Sequence, residues 1–399
     1  MCHYIRIVLL SLLMAPLMLC ASELKELKLL KSYVKTSNIG KGRELVKKCL
    51  NDSIFNTSPE LYSLATALEI KANDAENMKL YLHQQYDTTG FFNSVCSIFE
   101  YTLKEESLLR ETNPRLALKT QKKNHVMLKR YYPNLYSGGM FFVKNKKWDS
   151  ADRLFSMYID VSRSEHFKDD KFTTTARLPR AAFWSMACNY ETKKYKDVFR
   201  YQTLAEADSA NFDYALQYEA LSYAELRDTL NYEKSLKRGL TQSTFSDYFF
   251  SRLTDLLNNT RQYKKAFELN DSLLKKYPNN KLYLYGQTVV LFNMKQYEQC
   301  LSFAERLLKL DPDNIQACYY IGLCWFNQAV SYESTLSPNP TSQDYKKRRE
   351  EVNQMYRVAM PYLEKFKDKT PKEKDKWQAP LYKIYFNLNM EDKLKELEN

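Results

Sequence analysis

The 399-residue sequence predicts an all-α protein built from stacked antiparallel helical hairpins. Three observations predict this fold class. Only 8 Gly and 12 Pro occur, which leaves little turn chemistry for a β fold or for phosphate-binding loops. Leu, Lys, Glu, Ala and Tyr dominate, as they do in helical chains. The C-terminal half also repeats itself with a period of 34 residues.

The first residues have the layout of an export signal. One basic residue, Arg6, precedes an apolar run over residues 7–19, and the small residues Ala21 and Ser22 follow. The run contains Pro16 and is shorter than the roughly 20 residues of a membrane-spanning helix. We therefore predict a signal peptide over residues 1–21 and a mature chain, without a transmembrane span, in the periplasm or cell envelope.

Cys20 leaves two alternatives for the mature N-terminus. The segment 17–20 is similar to the lipobox of bacterial lipoproteins, a resemblance that implies lipidation of Cys20 and anchoring to the outer membrane. Leu19 stands where that motif usually has a small residue. Cleavage after Ala21 without lipidation is therefore the favoured alternative, and lipidation stays open.

Residues 22–131 keep the helical period but lack a repeat signature. Leu61, Leu64, Ala65 and Leu68 have the i, i+3, i+4, i+7 spacing of one helix face. We predict divergent helical repeats or an N-terminal cap in this region.

The 34-residue period follows from three pairs of residues that are each separated by 34: Tyr263 and Tyr297, Ala266 and Cys300, and Pro278 and Pro312. The unit 281–314 predicts two helices joined by a tight turn at Lys295 and Gln296. We predict repeats near 132–165, 179–212, 213–246, 247–280, 281–314 and 315–373, and capping helices over 374–399.

The last repeat is longer than the others. Pro312 and Pro371 are 59 residues apart, 25 more than one period, which places an insertion near 329–352. The prolines at 338 and 340 exclude a helix over 337–341, whereas Lys346–Arg349 can extend the following helix. We expect a surface loop, with a dedicated contact element as the alternative.

These markers resemble the tetratricopeptide repeat (TPR), in which the first helix carries an aromatic residue, Leu-Gly and Tyr, and the second carries Ala, an aromatic residue, Ala and Pro. Ile321, Gly322 and Trp325 match the first helix. The resemblance implies a right-handed superhelical solenoid with a concave groove lined by first helices. It also implies an exported bacterial TPR protein that binds a protein or peptide partner and is not an enzyme.

In the family, the side chains at the second, fifth, ninth, twelfth and thirteenth places of the first helix point into the groove. Carried over to this sequence, the candidate binding residues are Tyr214, Tyr248, Asn259, Tyr285, Val289, Phe292, Asn293, Tyr319, Leu323, Phe326 and Asn327. Tyr and Phe beside Asn would suit an extended or helical peptide. The alternative is that these rings pack against neighbouring helices.

The formal charge of +12 does not by itself predict nucleic-acid binding. The densest basic stretches, 119–130 and 346–349, read as solvated helix faces, with acidic partners or anionic lipid as alternatives. We predict no nucleic-acid partner and no transmembrane span in the mature chain, with a lipid anchor as a possibility left open.

Catalytic patterns are missing from the sequence. The four His are scattered, no phosphate-binding loop occurs, and no metal-ligand or cofactor motif is present, so we predict no metal and no cofactor. Glu105 and Glu106 lie in a charged stretch and are expected to be solvated. Two alternatives to a protein-interaction scaffold remain: a glycan- or small-ligand-binding surface, and an enzyme with its site in the N-terminal region.

Six cysteines follow the signal region, and their spacings match no zinc or thiol-redox motif. We predict that they pack as small buried side chains. A disulfide from Cys300 to Cys318 or Cys324 is the alternative in an oxidising compartment.

Overall fold

The structure, a computed structural model, describes residues 25–53, 55–164, 167, 177–336 and 339–398. Within these ranges every regular element is helical, which confirms the all-α prediction. The predicted signal peptide over residues 1–21, with Cys20, lies outside the described residues. None of the described helices combines the length and the apolar character that a bilayer crossing requires.

The helices of the described ranges follow one another in chain order as α1 (25–36), α2 (Ile39–Leu50), α3 (Pro59–Tyr81), α4 (Thr88–Thr112), α5 (Pro114–Lys144), α6 (Trp148–Ser162), α7 (Arg177–Glu191), α8 (Gln202–Ala205), α9 (Phe212–Glu225), α10 (Thr229–Gln242), α11 (Ser246–Asn259), α12 (Tyr263–Lys276), α13 (Lys281–Asn293), α14 (Tyr297–Leu310), α15 (Ile315–Glu333), α16 (Gln343–Lys369), α17 (Lys374–Asn387) and α18 (Glu391–Glu398). They form two compact units, residues 1–232 and 233–399. The repeat limits given above remain predictions.

The tight turns inside the hairpins carry the 34-residue period in their backbone angles. Arg227, Arg261 and Lys295 are separated by 34 residues, and their φ angles are 57°, 57° and 59°. Positive φ is uncommon for residues with a side chain. The amide of Lys295 donates to the carbonyl of Phe292 at 2.9 Å, which closes the turn between α13 and α14. The turn predicted at Lys295 and Gln296 is therefore present, and the hairpins are TPR-like.

A Pro-x-Asn motif, present at residues 278–280 and 312–314, ends one hairpin and begins the next. Asn280 Oδ1 accepts hydrogen bonds from the backbone amides of Leu282 at 2.9 Å and Tyr283 at 3.1 Å. One period later, Asn314 Oδ1 accepts from the amide of Ala317 at 3.0 Å. These side chains satisfy helix N-terminal amides that have no partner within the helix. The motif thus starts α13 and α15 at equivalent positions.

Gly322 allows α15 and α16 to approach closely. A Cβ atom added at Gly322 would lie 2.7 Å from Leu363 Cγ and 3.3 Å from the carbonyl oxygen of Ala359. Both neighbours belong to α16, and one of them is backbone, which cannot move aside easily. Gly322 therefore lies where the two helices approach each other closely.

The second unit closes on a core that α15, α16 and α17 share. Fully buried members of this core include Tyr356, Leu363, Phe366 and Leu381. The last helix, α18, adds Leu397 to the same cluster. The C-terminal helices thus bury an apolar face of α15 that would otherwise meet solvent.

The first unit contains longer helices than the repeats. Helices α3, α4 and α5 have 23, 25 and 31 residues, against 13 or 14 in α11–α14. The limit predicted between residues 131 and 132 falls inside α5, which is one continuous helix. That limit stays a prediction about repeat register, because the register locates a consensus position and does not show where the helix itself begins.

The insertion near 329–352 is mostly helical, which corrects the expectation of a surface loop. It lengthens α15 to Glu333 and begins α16 at Gln343. Tyr332 donates to Glu351 at 2.6 Å, Arg349 pairs with Glu333 at 2.5 Å, and Arg348 lies 4.7 Å from the Tyr332 ring centroid. These contacts join the two helix extensions, so only the short proline-containing tip interrupts the helices.

All six cysteines in the described residues are buried free thiols. Burial raises the pKa of the Cys96 thiol to about 12, and burial also raises the pKa of Cys188 and Cys318. The Cys300 thiol lies 3.3 Å from the carbonyl oxygen of Thr288. Packing is therefore the arrangement that the structure shows for these side chains.

Buried thiols with raised pKa values should react slowly, because the thiolate is the nucleophile. We expect the folded chain from residue 22 on to show almost no reaction with Ellman's reagent at mildly alkaline pH, and the chain unfolded in guanidinium to release six thiols. A pair that stays unreactive after unfolding without reductant would instead indicate the disulfide alternative from Cys300.

Candidate protein-interaction surface

The first helices of successive hairpins lie side by side in the second unit. Helix α13 packs against both α11 and α15, and α15 also contacts α17. The second helices α12, α14 and α16 pack against the neighbouring first helices. This arrangement leaves one side of the first helices as a continuous candidate binding surface.

A group of half-buried aromatic rings covers this side of α13 and α15, and we call it the aromatic wall. Its members are Tyr285, Phe292, Tyr319, Tyr320 and Phe326. Tyr285 and Phe292 are seven residues apart on α13, and so are Tyr319 and Phe326 on α15. A separation of seven returns a helical residue to nearly the same face. The wall therefore presents two rows of rings.

Tyr320 joins the two rows. Its ring centroid lies 6.1 Å from Tyr285, 5.3 Å from Phe292 and 5.4 Å from Tyr319, each in an edge-to-face arrangement. Burial raises the pKa of the Tyr320 phenol far above its ordinary value. Tyr320 was not among the predicted groove residues, since its place in the helix is not one of the family's groove positions. The adjacent aromatic residues at 319 and 320 are the sequence signal by which Tyr320 could have been found.

The second row of rings rests on the core of the unit. Tyr319 lies 4.4 Å from Phe366, and Phe326 lies 6.1 Å from Tyr356, measured between ring centroids. Phe366 and Tyr356 are fully buried on α16. Each ring thus packs on a neighbour, as the packing alternative expects, and also keeps a solvent-exposed portion, while binding at these rings stays a prediction.

Amide side chains recur beside the rings at equivalent repeat positions of α11, α13 and α15. Asn259, Asn293 and Asn327 are separated by 34 residues. Asn293 Nδ2 donates to Asn258 Oδ1 at 3.0 Å, which links α13 to α11. Asn259 and Asn293 are exposed, and Asn327 is half-buried. The amides can therefore offer donors and acceptors to a ligand that lies across the helices.

Charged groups of both signs border the wall. The Arg252 guanidinium lies 3.7 Å from the ring centroid of Tyr248 on α11. Burial raises the pKa of the Tyr285 phenol, Asp255 adds to that rise, and Lys376 opposes it. Asp255 and Lys376 are thus both close enough to Tyr285 to act on its charge. The border is mixed in sign, so it can select a partner by its charge pattern.

Leu323 is a correction to the predicted groove set. It is only 8% exposed and belongs to the same buried cluster as Leu363 and Leu381. The helices α16 and α17 cover this part of α15.

Two further predicted groove residues keep exposed surface. Val289 is half-buried on α13. Tyr214 is exposed on α9 in the first unit and is therefore described apart from the wall.

Helix α17 adds two residues that the sequence analysis missed. Counting 59 residues, the separation of Pro312 and Pro371, from Leu323 and Asn327 gives Tyr382 and Phe386. Both are exposed, with Phe386 at 63%. The region had been predicted only as a cap, so its groove positions were not considered. On α17, the first helix of the last hairpin, they therefore occupy the positions that Leu323 and Asn327 occupy on α15.

Glu105 and Glu106 of the first unit correct the expectation of solvated carboxylates. Glu106 is 1% exposed and accepts a hydrogen bond from Asn124 Nδ2 at 2.8 Å. Burial raises the pKa of Glu105, which interacts with Ser63 and Lys123. Their charged sequence context hid this burial. The burial arises because α5 packs over this part of α4.

His125, on α5, contacts Phe167, with ring centroids 5.4 Å apart.

Metal-binding groups do not assemble in the described ranges. No three His, Cys, Asp or Glu side chains among those residues converge as a metal site would require.

Comparisons with known proteins find similarity only among solved structures. No protein-family model matches the sequence, and no curated protein matches it. A TPR repeats protein from Bacteroides fragilis is 14% identical over 67% of this chain and 98% of that chain, with a TM-score of 0.32. The C-terminal part of a TPR repeat-containing protein from Cytophaga hutchinsonii is 12% identical over 66% and 99%, with a TM-score of 0.38. Human IFIT1 is 13% identical over 82% and 71%, with a TM-score of 0.38.

Proposed function

We propose that this chain is a non-catalytic protein-interaction scaffold of the bacterial cell envelope, and that its aromatic wall binds a segment of a partner protein. The observation that carries the proposal is the double row of half-exposed rings on α13 and α15, in which the α15 row packs on buried rings of α16 and Tyr320 joins it to the α13 row.

A polypeptide segment suits the wall better than a compact ligand. Tyr and Phe provide a large contact area at a low cost in conformational entropy, and such rings dominate the energy of protein interfaces. The amides of Asn259, Asn293 and Asn327 recur at equivalent positions of α11, α13 and α15. A partner that crosses several helices would meet an amide at each step, where its backbone groups could find a hydrogen-bond partner.

The wall is also pre-organised for binding. Tyr319 and Phe326 contact buried rings, and Tyr320 contacts three rings of the wall. Rings that already occupy fixed positions lose little freedom when a partner binds. This supports binding without a large rearrangement of the second unit.

The cell-envelope location rests on residues 1–21, where one Arg and an apolar run precede small residues. Lipidation of Cys20 would add an outer-membrane anchor, whereas cleavage after Ala21 would release the chain. The intact mass of the mature protein from its native cells distinguishes these two forms.

The test removes three wall rings at once with Tyr285→Ala, Phe292→Ala and Phe326→Ala. We expect the variant to lose its partner in a crosslinking pull-down from native cells, and the affinity for that partner to fall at least about 100-fold, because central interface rings often contribute 1–2 kcal/mol or more each. Isothermal calorimetry with the identified partner measures the change, and a helical melting curve shows that the variant is folded.

The matched control replaces Tyr81, Leu230 and Tyr277 with Ala. These side chains are exposed and lie outside the wall, so their loss should leave the partner bound. Equal binding by the folded wall variant and the control would contradict the proposal. Sugar binding that Tyr285→Ala abolishes, with no protein captured, would favour the glycan alternative, and turnover lost on substitution of Glu105 would favour the enzyme alternative.

A further inference from the structure

Helix α5 carries an unusual charge composition. Its 31 residues include seven Lys or Arg and no Asp or Glu. The whole chain has 48 acidic residues among 399, so a segment of this length would contain three or four on average. The excess of positive charge is therefore local to this helix and is not a property of the chain as a whole.

The cations of the first half of α5 share one face with two aliphatic residues. At about 100° per residue, seven positions fall within about 60° of the direction of Arg115. We call them the basic stripe: Arg115, Leu118, Lys119, Lys122, Val126, Lys129 and Arg130. Every one of them is exposed. Ala117, Asn124 and Leu128 lie on the opposite face and are buried against the rest of the first unit.

The outer cations of the stripe are Arg115, Lys119 and Lys122, and none of them forms an ion pair with any residue that the structure describes. Lys123 lies beside the stripe and faces Glu105 instead. The stripe thus keeps a positive potential that an anionic partner can neutralise.

The apolar residues of the stripe distinguish among anionic partners. Leu118 is 63% exposed and Val126 is 58% exposed. A nucleic acid would place phosphates against these aliphatic side chains. Its bases would stack on aromatic rings of the protein, and the stripe contains no ring. An acidic protein partner would need two apolar pockets for Leu118 and Val126. These pockets would lie about 12 Å apart, which is the rise of eight helical residues. A lipid surface accommodates aliphatic side chains without matching sockets.

We propose that the basic stripe of α5 lies on an anionic phospholipid surface, with Arg115, Lys119 and Lys122 near the phosphates and Leu118 and Val126 at the edge of the acyl region. The stripe spans about 22 Å between its first and last residues, at 1.5 Å per residue. All of its residues lie on one face of the continuous part of α5 that precedes Pro133, which suits contact with a flat surface. This inference is independent of the aromatic wall, which belongs to the other compact unit.

The test uses the chain from residue 22 on, so that neither the signal segment nor a lipid can contribute. Flotation with phosphatidylcholine vesicles, with and without phosphatidylglycerol, measures binding. We expect binding only to the anionic vesicles, and a loss of roughly 100-fold in Arg115→Gln, Lys119→Gln, Lys122→Gln, since each cation near such a surface changes binding about fivefold. Leu118→Ser with Val126→Ser should also weaken binding while leaving its salt dependence unchanged.

The control removes three exposed lysines from α12 and α14 with Lys264→Gln, Lys276→Gln and Lys309→Gln. It lowers the net charge equally and should keep full binding. Equal losses in the two triple variants would overturn the proposal, as would binding to neutral vesicles alone. Displacement of the vesicles by short RNA at lower concentration than by free anionic lipid would assign the stripe to nucleic acid and would likewise overturn it.

Discussion

Gly322→Leu is expected to lower the free energy of unfolding by about 3 kcal/mol, because the new side chain has no space between α15 and α16. Even a Cβ atom at this position would lie 2.7 Å from Leu363 Cγ and 3.3 Å from a backbone oxygen of α16. Relief requires the two helices to separate, which disturbs the core that they share with α17. Denaturation by urea, followed by far-UV circular dichroism, measures the change.

Gly40→Leu provides the matched control for this substitution. Gly40 is exposed near the start of α2, and a Cβ atom there would meet no neighbour within 4 Å. Replacing glycine in a helix usually gains about 0.5–1 kcal/mol in propensity, so this variant should be at least as stable as the parent. If both variants have the parent's stability, α15 and α16 do not approach as closely as described.

Phe366→Ala is expected to lower the free energy of unfolding by about 4 kcal/mol, because it opens a cavity in the core that α15, α16 and α17 share. Phe366 is fully buried, and its ring lies 4.4 Å from Tyr319. The substitution therefore also removes the support of one wall ring. Urea denaturation measures the first effect, and calorimetry with the protein partner measures the second.

Phe386→Ala removes the same atoms from an exposed position on α17. Its stability should stay within about 0.5 kcal/mol of the parent, as for most surface substitutions. Comparable destabilisation by the two variants would show that Phe366 does not occupy the core. Retained partner binding in a folded Phe366→Leu variant would show that the larger ring is not required to position Tyr319.

The sequence predicts the hairpins well wherever local signals coincide with the period. Pro278 and Pro312 are followed by Asn280 and Asn314, and these local features alone are enough to end one helix and start another. The close approach at Gly322 could also be predicted, since glycine on an internal helix face is useful mainly where another backbone comes near.

The sequence could not show which residues are buried by helices that are distant from them in the chain. Leu323 occupies a groove position, but its burial depends on α16 and α17, which come later in the chain. Glu106 has a charged neighbourhood in sequence, yet Asn124 of the next helix is its partner in space. Tyr320 likewise acts as the centre of the wall only because α13 brings Tyr285 and Phe292 to it.

The lengthened hairpin of α15 and α16 shows how such a chain can acquire new surface during evolution. The sequence added between the two helices extends both of them, and contacts such as Arg349 with Glu333 join the two extensions. Glu333 also pairs with Lys383 of α17 at 2.9 Å, so the addition contacts the following hairpin as well. Gly322 and Phe366, which pack deeper in the unit, lie outside the added segment. An addition of this kind therefore gains new surface, but natural selection has to fit it to the hairpin that follows.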